Sequence, residues 1–279
     1  MTREVPAAVV EAASDTAVDA AGARMFARYA YAPNRLGYCG PPEPGTLARV
    51  AAMAPAANGA AADGAGRDVR AMARRFSGAW PYLRVLAELT GIADPLDRRL
   101  VESYWLGGGV GAAIDSRAFG RRLLSLIGPQ AGSYWTHLTP ELLDEAAADH
   151  CFHVFGVYPW TRLLGTGPGP GAEQPLYVLD SCRIRWGTVL SRDGDEIEVS
   201  TRHLSWDGAV LGLGEPSIDR IRVSVDGLEF LPDVDFGDRV ALHWDWLTDR
   251  LRPDQARALE ASTLRQLAAT NRRLARAAR

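Results

Sequence analysis

The sequence predicts an α+β protein in two parts: an α-helical N-terminal domain, then a small OB-like β-barrel ending in a C-terminal helix. Three observations predict it. Apolar residues recur at helical spacing through the first half, as in Val69, Met72, Phe76, Leu83 and Leu86. A run of alternating Gly and Pro at 165–171 then interrupts both helix and strand. Beyond it, short alternating segments are punctuated by Asp-Gly turns, before Pro253-Asp254 opens a long final helix. The expected units are a helical domain at 15–164, a linker at 165–175 and a barrel with its helix at 176–279.

The helical elements follow from local chemistry. Ser14-Asp15 is a capping pair for a helix over 16–32, which Pro33 should stop. The Pro-rich loop 38–45 carries Cys39, best explained as a small buried hydrophobe, with a nucleophile as the rival reading. A short helix is expected at 46–53 and a mobile Ala/Gly spacer at 54–66. Helix follows over 67–90 with a break near Gly78-Ala79. Asp94-Pro95 starts the next helix, and Ser116 caps one over 117–127. Gly107-Gly108-Gly109 is read as a helix end. It lacks the preceding strand and the Lys-Ser/Thr of a phosphate loop. Thr139-Pro140-Glu141 opens another short helix.

Composition excludes several functions. The net charge of −3 gives no basic field for nucleic acid or an anionic membrane. No apolar run is long enough to span a bilayer, and 1–19 lacks the apolar core of a signal peptide. Cys39, Cys151 and Cys182 are too few and too scattered for a disulfide framework. A cytoplasmic, reduced setting follows, which leaves thiolates free for metal.

Two groups of metal-capable residues stand out. Asp149-His150-Cys151-Phe152-His153 places two imidazoles and a thiol in one short apolar run. The bland reading is a packed junction with backbone-bonded histidines. The sharper one has His150, Cys151 or His153 leaning toward Cys182. In the second half, strands are expected at 177–179, 184–190, 197–203, 209–213, 218–225 and 240–246. They place Cys182 at a strand start and His243 near a strand end, so that thiol and imidazole can meet around a soft metal. Arg183 and Arg185 flank the thiol, where positive charge would favour thiolate. His203 is read as a surface residue.

From 177 to 274 the chain resembles the HypC/HupF-type hydrogenase maturation chaperones. The resemblance rests on Cys182-x-x-x-Trp186-Gly187-x-Val189, on Gly237-Asp238-Arg239-Val240-Ala241-Leu242-His243, and on the Ala-rich helix from Pro253. The family has Pro where Trp186 stands, and its cysteine follows the initiator methionine. The resemblance implies Cys182 and His243 as ligands of a transiently bound iron carrying cyanide and carbonyl. It also implies a hydrogenase large subunit or other maturation proteins as partners, and a carrier rather than an enzyme. The rivals are an enzyme or metal protein with its site around His150, Cys151 and His153, and a structural partner that has lost the metal.

Overall fold

The computed structural model describes residues 19–53, 60–128, 140–165, 170–225 and 227–277. It has the expected α+β order: helices α1 (Ala20–Arg35), α2 (Gly45–Ala51), α3 (Ala60–Ala73), α4 (Ala79–Thr90), α5 (Arg98–Leu106) and α6 (Ser116–Ile127) come first. The one-turn α7 (His150–Phe152) and α8 (Pro170–Cys182) precede strands β1 (Arg185–Asp193), β2 (Glu196–Trp206), β3 (Leu211–Arg222), β4 (Ser224–Val225), β5 (Leu228–Glu229), β6 (Arg239–His243) and β7 (Trp246–Arg250). Helix α9 (Pro253–Ala277) closes the chain. No helix among the described residues is long and apolar enough to cross a membrane.

Several boundaries differ from expectation for identifiable reasons. The Ser14-Asp15 pair lies outside the described residues. Helix α1 is instead capped by Asp19, whose carboxylate accepts from Ala21 N at 3.0 Å and also from Arg98 N at 2.8 Å, tying the start of α1 to that of α5. The helix runs through Pro33 to Arg35, because a proline in the last turn removes one hydrogen bond without a full kink. Residues 60–66, expected in a spacer, belong to α3; 54–59 lie outside the described residues. The break near Gly78 is present, and Pro81 falls in the first turn of α4, where its missing N–H costs nothing. Helix α5 starts at Arg98 with Asp97 as cap, and α6 is capped by Asp115, one residue before Ser116. Thr139 lies outside the described residues; Pro140–Glu145 forms a 3-10 turn. The glycine run does end α5. A Cβ at Gly107 or Gly108 would come within 2.8 Å of Ser262 or Ala258, so these glycines let α9 lie close.

The second half carries the larger corrections. Residues 177–179 are not a strand but part of α8. A three-residue apolar run fits either period, and Val178, Leu179 and Cys182 are buried at helical spacing. Cys182 therefore ends a helix instead of starting a strand. Segments 209–213 and 218–225 mostly merge into β3. Its Pro216 is tolerated on an edge strand opposite Arg202, beside a bulge. The expected strand 240–246 is a hairpin, β6 and β7, turning at Trp244 and Asp245.

The sheet is antiparallel with order β3-β2-β1-β6-β7. Its end strands β3 and β7 are not hydrogen-bonded to each other, so it is an open five-stranded sheet and not the closed barrel expected. It wraps a small core of Val189, Val199, Ile221, Val240 and Leu247. A larger apolar cluster includes Phe26, Leu83, Phe152 and Leu179 together with Ala241, Trp244, Trp246 and Leu259, so it is built from both sides of the Gly/Pro run.

Candidate metal centre

Three elements end at one point. Helix α8 delivers Cys182, α7 delivers His150 and β6 delivers His243. One ligand atom from each lies within 4.8 Å of the others. All three residues are buried, at 6%, 4% and 1% exposure.

Each imidazole is fixed by its hydrogen bonds. His243 Nδ1 lies 2.6 Å from the Tyr29 carbonyl oxygen; since a carbonyl only accepts, Nδ1 carries the proton and donates. Its Nε2 is then a bare lone pair, buried and without a hydrogen-bond partner. That is the arrangement of a metal-ligating histidine held by a carbonyl behind it. The carbonyl is free for a local reason. In a helix, Tyr29 O would bond the N–H of residue 33, and residue 33 is proline. His150 is oriented the other way round: Nε2–H donates to the Cys182 carbonyl at 2.9 Å, and Nδ1 accepts from the Tyr104 hydroxyl at 3.1 Å. The Trp105 ring lies against both, 4.7 Å from His150 and 5.7 Å from His243.

Asp149 caps α7, accepting from Phe152 N at 3.1 Å, and is itself bonded by Ser262 and Arg265 of α9, each at 2.5 Å. The site is thus anchored to the terminal helix. Over it sits the Trp244–Asp245 turn. Both residues have left-handed φ, 53° and 57°, a conformation that costs a non-glycine residue roughly 1–2 kcal/mol. Trp244 N donates to Ser181 O at 2.9 Å, and the Trp244 ring lies 4.0 Å from that of Tyr38.

Burial sets the protonation states. The Cys182 thiol is pushed up to about 12, and His243 is driven down to about 4 despite the opposing pull of nearby backbone carbonyls. His150 is driven well below its usual value, by burial first and then by its two histidine neighbours. Near neutral pH the group is one thiol and two neutral imidazoles. None of the three side chains carries a charge, so their burial is compatible with a stable fold.

The other sequence candidates fall into place. His153 does not join the trio. Its ring stacks on His150 at 5.8 Å, packs on Tyr158 at 4.3 Å and leaves Nδ1 buried without a partner. Cys151 points away, its sulfur 3.6 Å from the Thr263 hydroxyl of α9. Cys39 is half-buried, its thiol raised by burial and then by Cys182, while Asn34 Nδ2 holds its carbonyl at 2.8 Å.

Arg183 and Arg185 do not activate the thiol. They are buried on other business: Arg183 pairs with Asp180, and Arg185 with Asp219 and Asp245. His203, expected merely at the surface, is half-exposed and bridges Asp180 at 2.6 Å and Asp219 at 2.9 Å. Only the i,i+3 spacing of Asp180 and Arg183 hinted at this network.

The fold and the converging donors define an α+β protein with a buried, neutral cluster of one cysteine and two histidines. The chain belongs to the family described as "Family of unknown function (DUF6390)", which matches residues 18–277. Neither a curated protein nor a solved structure matches it.

Proposed function

We propose that this protein is an accessory factor of nickel–iron hydrogenase maturation that carries an iron fragment on Cys182 and His243, with His150 as a third donor once its Nδ1 releases the Tyr104 hydroxyl. The carrying observation is that the three donor atoms lie within 4.8 Å of one another although they come from α7, α8 and β6. A thiolate with imidazoles is a soft-to-borderline donor set, one of those that suit iron. The cargo is bound by ligand exchange, with loss of the thiol proton, and no turnover is required. The sequence resemblance adds the identity of the cargo, and the hydrogenase large subunit or another maturation protein as recipient. The strained Trp244–Asp245 turn is the segment that opens for transfer.

Enclosure favours a second reading, a resident ion such as zinc held by the same residues. Purification of the full chain under anaerobic conditions from cells making a nickel–iron hydrogenase separates the two. The carrier reading expects infrared bands of cyanide and carbonyl that vanish in Cys182→Ala and weaken in His243→Ala. Stoichiometric zinc without those bands supports the second reading, and metal-free protein in every preparation overturns both.

A further inference from the structure

The face of the sheet covered by α9 holds a second constellation, independent of the cysteine–histidine cluster. In the strand register Ser200 pairs with Thr188, and Thr188 with Arg239, so the three form one row across β2, β1 and β6. Trp186, two residues from Thr188 along β1, lies on the same face. Arg257 and Glu260 of α9 stand over this row, and together these residues line a cavity of about 280 Å³. That is just under the range of about 300–1,000 Å³ usual for sites that hold a drug-sized ligand, and so suits a small one.

Charge makes the cavity unusual in this chain. Most arginines of the described sheet and terminal helix are committed: Arg185 to Asp219, Arg192 to Glu229, Arg250 to Asp238, Arg265 to Asp149 and Arg273 to Glu145. Among the described residues, the guanidiniums of Arg239 and Arg257 have no ion pair or hydrogen bond, and they come from facing elements into one space. Glu260 is likewise unpartnered. Two uncommitted forks beside two hydroxyls are suited to a phosphate, since guanidinium binds phosphate oxygens bidentately. An indole in the same wall offers a flat apolar surface for a ring. A lone carboxylate asks for a donor on the ligand.

We propose that this cavity binds a small phosphate ester with a flat, donor-bearing head, of the size and chemistry of a nucleoside monophosphate. Arg239 and Arg257 clamp the phosphate, with the Thr188 and Ser200 hydroxyls donating to it. Trp186 receives the ring, and Glu260 accepts from an amino or hydroxyl group.

Calorimetric titration of the full chain at low salt with AMP, and separately with inorganic phosphate and adenosine, tests it. AMP is expected to bind saturably at one site, more tightly than either fragment. Arg239→Ala and Arg257→Ala should each weaken it about tenfold or more, the usual worth of a charge-assisted hydrogen bond. Trp186→Leu should weaken AMP but not phosphate. Arg276→Ala, at the far end of α9, is the control and should leave binding unchanged, and circular dichroism of every variant checks folding. The proposal is overturned by no heat from millimolar AMP, by AMP binding no tighter than phosphate, or by arginine variants that bind like the control.

Discussion

His243 donates from Nδ1 to the carbonyl oxygen of Tyr29 at 2.6 Å, taking the acceptor that the proline four residues after Tyr29 cannot use. Position 33 therefore acts on the candidate site through the backbone, without touching it. In Pro33→Ala the new N–H competes for that carbonyl. Helix propensity favours alanine by up to about 3 kcal/mol in a helix interior and by less in a last turn, so thermal stability should hold or rise. Affinity for Co²⁺, followed by its thiolate charge-transfer absorption, should fall. Unchanged affinity would show that the carbonyl serves both donors with its two lone pairs.

Metal binding should release a proton. With the Cys182 thiol raised to about 12 and His243 lowered to about 4, the thiol is protonated and this imidazole neutral throughout pH 6–9. A divalent ion must expel one proton, so log K should rise by about one per pH unit over that range. Titrations with Zn²⁺ in buffers of different ionisation enthalpy measure the proton count directly. A count near zero would mean the sulfur is not a ligand.

The metal-free protein should lose stability in mild acid. His153 and His243 are both held at about 4 by burial, against about 6.5 in the unfolded chain. Lowered histidines favour the neutral form in the fold. Their contribution is complete above pH 6.5 and is lost as pH falls toward 4, on the order of 3 kcal/mol each at most. His203 runs the other way. Burial opposes its charge, but bonds to Asp219 and Asp180 outweigh that and raise its pKa, so its contribution is present at low pH and lost as pH rises. The two buried rings outweigh the one half-exposed ring. Melting temperature should therefore drop between pH 6.5 and 4, and His153→Phe should flatten that slope.

The joint between α1 and α5 should be intolerant of one methyl group. A Cβ at Gly22 would lie 1.8 Å from the Leu96 carbonyl oxygen and 2.8 Å from Arg98 N. Alanine gains about 1 kcal/mol of helix propensity there. The clash is with backbone, which cannot rotate away, and overpacking of this kind costs typically 1–3 kcal/mol or more. Gly22→Ala should lower the midpoint of chemical denaturation, whereas Gly128→Ala, with open space around its Cβ, should change it little.

Short-range chemistry governs the elements that are legible in the sequence. Helical spacing around Phe76 and Leu83, the break at Gly78 and the glycine end of α5 all follow from a few adjacent residues. Other elements are not legible there: the short apolar run at residues 177–179 fits two periods, and the β6–β7 turn uses Trp244-Asp245 in place of the usual Asn-Gly. The carboxylate network of Arg185, His203 and Asp219 was invisible because its members meet only through strand register.

By itself, the chain's order of residues determined that helices come first and strands later, that its thiols are too scattered for a disulfide framework, and that Cys182, His243 and the residues around His150 carry the metal-capable side chains. Only the tertiary structure decided that His150 meets the other two while Cys151 turns away and His153 stacks behind. It also decided that the sheet stays open. The physical reason is distance. A side chain's type and its local backbone are set within a turn or two of the chain. Which lone pairs converge depends on how α8, α7 and β6 are packed against one another, and that depends on apolar burial summed over the whole molecule.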